Sequence, residues 1–216
     1  MLRQFMLLLG TGLALLWAQP VIPYDSLMVD RVGIDGVIDN DEGPEYPATY
    51  KDNASGITVH WGCDDSLIYV GLETKGRGWL AIGFGSAKMN KSNMIIGYYT
   101  EDSTEVVNQV GANCAHANSP QSDSAIREAE IDRDEETGVT TMEFSYPLQF
   151  PSGPAVAIPG LESGGTYDVI LAQNTKSVSL GAKHTNYGTL KAKLAAIPQA
   201  QSPIQTGQQP QPESKK

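Results

Sequence analysis

The sequence predicts an all-β chain folded as an antiparallel β-sandwich, and three observations carry that prediction. Short runs rich in Val, Ile, Tyr and Trp recur along the middle of the chain, punctuated by Gly, Asp and Asn. Ile57, Val59 and Trp61 alternate with Thr58 and His60, the two-residue period of a half-buried strand. No stretch after the first 18 residues holds apolar side chains at helical spacing for three turns.

From the amino end, residues 1–18 read as an export signal, with Arg3 in a short basic start, an apolar middle and the small residue Ala18 before the expected cut. The apolar run is shorter than the roughly 18–20 residues that span a bilayer, so the mature chain is expected to carry no transmembrane segment and to work in the periplasm or outside the cell. Residues 19–33 form a lead segment, 34–194 the sandwich domain, and 195–216 a disordered tail rich in Pro, Gln and Ser. Within the domain, strands are expected over 57–61, 67–72, 79–84, 94–98, 105–110, 126–131, 140–146, 167–172 and 187–190. Residues 67–72 are apolar on both faces except at Tyr69, which suits a strand covered on each side. Asp64 and Asp65 read as a turn, and Asp134 to Gly138 as a hairpin connection with Gly138 free to take positive φ.

Composition narrows the function classes. Twenty-five Asp and Glu face 15 Lys and Arg, for a net charge of −10, which argues against nucleic acid and gives a surface able to steer a basic protein. Two cysteines, Cys63 and Cys114, are a candidate disulfide in an exported chain. Without a Cys-x-x-Cys-His run there is no signal for covalent haem attachment, and two thiolates are too few for a four-thiolate zinc or iron–sulfur centre. Asp35, Asp39, Asp41, Glu42 and Glu45 lack the spacing of a calcium loop and read as a solvated turn. No Ser, His and Asp grouping has a nucleophile's context and no carboxylate pair separates into acid and base, so the chain reads as a non-enzyme.

One methionine stands out. Met89 lies in the polar loop of Gly78-Trp-Leu-Ala-Ile-Gly-Phe-Gly-Ser-Ala-Lys-Met89-Asn-Lys-Ser-Asn-Met-Ile-Ile-Gly-Tyr98, between two apolar strands. Far down the chain, His184 opens His-Thr-Asn-Tyr-Gly after another apolar strand. A thioether and an imidazole together hold the haem iron of many electron-transfer cytochromes. The same stretch, with residues 138–148, 167–172 and 184–188, resembles the DOMON domain family over about residues 34–194. That resemblance implies an immunoglobulin-like sandwich, a non-covalently bound haem b, and Met89 and His184 as its axial ligands. It departs from the family pattern at Asn93, commonly aspartate, and at Tyr187, often arginine.

Trp79, Phe84, Tyr98 and Tyr187 are the aromatic side chains expected around the cofactor, while strand alternation assigns Met94 to core packing. His60 is expected to face solvent or accept a hydrogen bond, and His116, beside Cys114, is the rival ligand. The leading expectation is an exported electron carrier whose donor and acceptor are separate redox proteins. The alternatives are a haem-free module binding a sugar or other small ligand, or a structural domain of a secreted assembly.

Overall fold

A computed structural model describes residues 19–112, 115–118, 125–149 and 160–198. The expected export signal, Cys114 and the tail beyond residue 198 lie outside the described residues. In chain order the elements are β1 (Val21–Ile22), α1 (Met28–Arg31), β2 (Ala48–Asp52), β3 (Ile57–Cys63), β4 (Leu67–Thr74), β5 (Leu80–Phe84), β6 (Asn93–Thr100), β7 (Ser103–Ala112), β8 (Ala115–Asn118), β9 (Glu128–Arg133), β10 (Thr140–Pro147), β11 (Thr166–Gln173) and β12 (Asn186–Leu194).

The strands form two sheets packed face to face. One runs β1-β12-β11-β5-β6-β7-β8 and the other β2-β3-β4-β10-β9. Every pairing is antiparallel except β1 with β12, so the all-β sandwich expected from periodicity is the architecture found. Each expected strand has its counterpart. The lead segment joins the sandwich too, because Val21 and Ile22 add a strand to β12 and Ile22 is fully buried. The edge strands β1, β2 and β8 carry too few apolar residues for the two-residue period to register.

Between the sheets lies a core built from alternate residues of each strand, among them Val59, Trp61, Val70, Leu72, Ile82, Phe84, Phe144, Tyr146, Val169 and Leu171. The turns obey their sequence signals. Asp64 Oδ1 accepts from the Ser66 and Leu67 amides, and Gly138, at φ 68°, donates its amide to the Asp134 carbonyl to close the β9–β10 hairpin.

The outer face of the five-stranded sheet is covered by residues 25–47. Met28, Val32 and Tyr46 pack there on Tyr69. Beneath them His60 is buried, its ring bridging Thr49 and Glu73. The acidic cluster of this segment is a set of turns rather than a metal site: Glu45 accepts from the Gly33 and Asp39 amides, and Asp35 and Asp39 accept from Val37 and Asp41. Among the described residues, no group of three or more His, Cys, Asp or Glu could hold a metal ion.

Glu143 of β10 is the anchor of this cover. Its fully buried carboxylate accepts from the Tyr46 hydroxyl at 2.7 Å and from the Gly36 amide at 3.0 Å. Burial pushes this carboxyl up to about 7 against the pull of the hydrogen bonds donated to it. A raised carboxyl binds its proton more tightly in the folded chain than in the unfolded one. Stability should therefore fall as pH rises from about 4.5 to about 7, by on the order of 3 kcal/mol. Urea midpoints measured across that interval are expected to decline for the wild type and to lose this slope in Glu143→Gln; an unchanged slope in the variant would assign the decline to other groups.

Candidate functional site

The seven-stranded sheet is apolar on its outer face as well as its inner one. On β5, Leu80, Ile82 and Phe84 point into the core, so Trp79, Ala81 and Gly83 face outward. On β6, Ile95 points in while Met94 and Ile96 point out, and on β11 Ile170 and Ala172 join them. Trp79, Ala81, Met94 and Ile96 form a second buried cluster there. Met94 packs in a core as expected, in the cluster on the outer face of the sheet.

Two loops rise over this face and leave a cleft of about 580 Å3 between them, within the roughly 300–1,000 Å3 of small-molecule sites. Ala81, Gly83, Met94, Ile96, Ile170 and Ala172 make its floor, and Ala87, Lys88 and Met89 line it from the loop between β5 and β6. Gly181 to His184, with Tyr187, line it from the other side, and His116 of β8 lines it too. A Cβ at Gly83 would meet Met94 Cγ at 2.9 Å and Ile170 Cγ1 at 2.8 Å. The missing side chain thus lets Met94 and Ile170 pack closely over Gly83.

The first loop is held by backbone hydrogen bonds to β7. The Lys91 amide donates to the Gly111 carbonyl at 2.8 Å, the Gly111 amide donates to the Ser92 carbonyl at 3.1 Å, and the Ser92 amide turns back to the Met89 carbonyl at 3.1 Å. Lys91 sits at φ 64°, a left-handed conformation that few non-glycine residues adopt. Met89 comes so close to Gly111 that a Cβ there would overlap the Met89 carbonyl. Gly111 therefore fixes where the thioether stands.

The second loop is braced from within. Asn174 donates from Nδ2 to the Lys183 carbonyl at 2.8 Å and accepts from the Lys176 and Ser177 amides. Trp79 Nε1 donates to the Ala182 carbonyl at 3.2 Å, and the Thr185 amide donates to the Gln173 carbonyl. His184 is half-buried, packs against Tyr187 with ring centroids 4.9 Å apart, and makes no hydrogen bond among the described residues. Its imidazole is thus uncommitted at the rim of an apolar cleft.

Of the residues expected around a cofactor, Met89, His184, Trp79 and Tyr187 are brought to this one cleft. Phe84 and Tyr98 are not among its lining. Phe84 lies on the inward parity of β5 and is buried between the sheets, and Tyr98 packs on the outer cluster beyond Ile96. His116 half-buries against the site, hydrogen-bonded through Nδ1 to the Gln109 side chain, and burial lowers its pKa. Asn93 sits on the inner face, accepting from Asn108 Nδ2 at 3.0 Å, so this departure from the family pattern touches the core rather than the cleft. Sequence reading missed Gly83, Gly111, Asn174 and the rim lysines Lys88 and Lys183; the glycines inside strands were the available signal of close backbone approach.

The family model of the DOMON domain matches residues 53–174, more than half of the chain. The chain belongs to the DOMON domain family. Among solved structures, this DOMON chain is similar to the cytochrome b domain of a pyranose dehydrogenase from Coprinopsis cinerea at 9% identity and TM-score 0.53, over 67% of this chain and 80% of that one. It also matches the cytochrome domain of Myriococcum thermophilum cellobiose dehydrogenase (20% identity, TM-score 0.46, 71% and 91% covered). A family 9 carbohydrate-binding module from Caldicellulosiruptor kristjanssonii, solved with glucose, matches at 10% identity and TM-score 0.46, over 86% of this chain and 100% of that chain. A search of the curated proteins finds no match.

The Cys63 thiol is buried in the core and forms no disulfide among the described residues; its expected partner, Cys114, lies outside them. Burial pushes this thiol up to about 12, which leaves it protonated and unreactive at neutral pH. Among the described residues no helix is long and apolar enough to cross a membrane.

The DOMON loop that carries Met89 offers a direct test. Gly111→Ala should displace that loop and cost about 1–3 kcal/mol of stability, the usual price of overpacking, read from urea unfolding. A variant as stable as the wild type would mean the loop gives way freely and does not hold the thioether in place.

Proposed function

We propose that this cleft holds haem b non-covalently, with Met89 and His184 as the axial ligands, and that the chain carries single electrons between separate partner proteins outside the cytoplasm. One observation carries the reading: a thioether and an uncommitted imidazole, from loops far apart in sequence, line the same apolar cleft. When bound, haem supplies a one-electron couple that a thioether ligand biases toward the reduced form and a higher potential.

The residues of the chain supply the rest. Ala81, Ile96, Ile170 and Ala172 keep water from the buried face of the site, and Trp79 holds the His184 loop through its bond to Ala182. A haem held by both Met89 and His184 would leave its iron no place for oxygen or a substrate, which suits a carrier rather than a catalyst. The acidic surface favours a basic redox partner. Lys88 and Lys183 stand at the rim of the cleft, the positive groups nearest any carboxylates that the occupant turns to solvent.

A sugar is the less fitting occupant. Sugar hydroxyls need hydrogen-bonding side chains, and the floor of the cleft, of Ala, Ile, Met and Gly, offers none, which leaves them to wall residues such as Lys88, Lys183 and Tyr187. The chain expressed with ample haem should be red, with a sharp visible band on reduction. His184→Ala should lose that band's low-spin form, Met89→Ala should lose the thioether-ligated spectrum, and Met89→His should lower the midpoint potential. Colourless protein would end the cytochrome reading and make a glycan-binding screen the next measurement.

A further inference from the structure

Beyond Met89 and His184 the cleft is lined by a second imidazole, that of His116. His116 lies directly opposite Gly111 in the β7–β8 ladder, so their side-chain positions point to the same face of the sheet. That is also the position over which Met89 lies. The point where a Gly111 Cβ would stand is 3.1 Å from Met89 Cγ. The thioether and the His116 imidazole therefore enter the cleft from the same side, over neighbouring positions of one hairpin. His184 enters from the loop between β11 and β12.

The hydrogen bond of His116 sets its chemistry. With Gln109 Oε1 as its partner, Nδ1 is the donor, and in the neutral ring that leaves the lone pair on Nε2. An imidazole held through Nδ1 presents Nε2 as its metal-binding nitrogen, and a hydrogen-bonded second nitrogen is the usual companion of a ligating histidine. Gln109 is itself buried on the same outward face of β7. Nothing in the Met89–His184 pairing calls for this arrangement.

Resting on the haem reading above, we propose that His116 is an alternative axial ligand on the Met89 side of the cleft, able to complete a bis-histidine site with His184 when the thioether is withdrawn. The site would then have two coordination states that differ in one ligand, nitrogen in place of sulfur, without any change in the fold. Exchange of thioether for imidazole lowers the potential of the iron, so the state of the Met89 loop would set the direction in which the carrier passes its electron.

The test uses the full chain loaded with haemin and read by absorption and electron paramagnetic resonance. Met89→Ala is expected to stay six-coordinate and low-spin with a bis-imidazole signature, and Met89→Ala/His116→Ala to become high-spin. Added imidazole should bind the double variant at least about tenfold more tightly than the single one, because it meets no competing side chain. His116→Ala alone should keep the thioether spectrum, which also shows that the variant folds. A high-spin Met89→Ala chain that binds imidazole as well as the double variant would overturn the proposal and leave the haem reading intact. A wild-type chain that takes up no haemin would overturn both.

Discussion

A sheet that is apolar on both faces has to be covered twice, and the seven-stranded sheet of this chain is covered only once by its own partner sheet. Apolar area left in water forgoes roughly 25 cal/mol for each Å2, so the outer face needs a cover of its own. On the five-stranded sheet the corresponding face is closed by residues 25–47, seated on Tyr69 and tied down at Glu143. On the seven-stranded sheet the cover is two loops with a gap between them. The cleft is the remainder of an incomplete cover, and its apolar floor follows from strands such as Leu80–Phe84, where every residue is buried.

The two loops are positioned by different means. Met89 is placed from outside its loop, by hydrogen bonds exchanged with Gly111 and by the absence of a side chain there. His184 is placed from inside its loop, by Asn174, Thr185 and the indole of Trp79. Neither loop owes its shape to the side chain it presents. A site built in this way can change its presented residue without losing its geometry. What this chain presents is a thioether and imidazoles over Ala, Ile and Gly, and that chemistry, rather than the fold, is the ground for reading it as a haem protein.

Much of the architecture was legible in the sequence because a half-buried strand writes its period directly. Ile57, Val59 and Trp61 alternate as the core demands, and the run from Trp79 to Phe84 is apolar throughout because both faces of β5 are covered. The hairpin at Gly138 and the turn at Asp64 were equally plain, since each is a local hydrogen-bonding pattern. Two assignments turned on something a single run cannot show. Met94 and Phe84 both sit in apolar strands; which of them meets the core and which the cleft depends on the register of β5 against β6, where Gly83 faces Met94 and Phe84 faces Asn93. The lead segment was under-read because β1 is a strand only by virtue of its partner β12.

By itself, the sequence determined the strand content, the principal turns, the acidic surface and the presence of a methionine and a histidine in loops with little packing to do. These are properties of short windows, governed by backbone preference and by the side-chain period of two. Only the tertiary structure decided that Met89, His184 and His116 share one cleft, that Gly83 lets Met94 and Ile170 close over its floor and Gly111 seats its wall, and that Phe84 and Tyr98 are no part of its lining. Those facts depend on which strands become neighbours. Neighbourhood in a sandwich is set by long-range pairing, as when β5 lies between β6 and β11, and no local stretch of sequence records it.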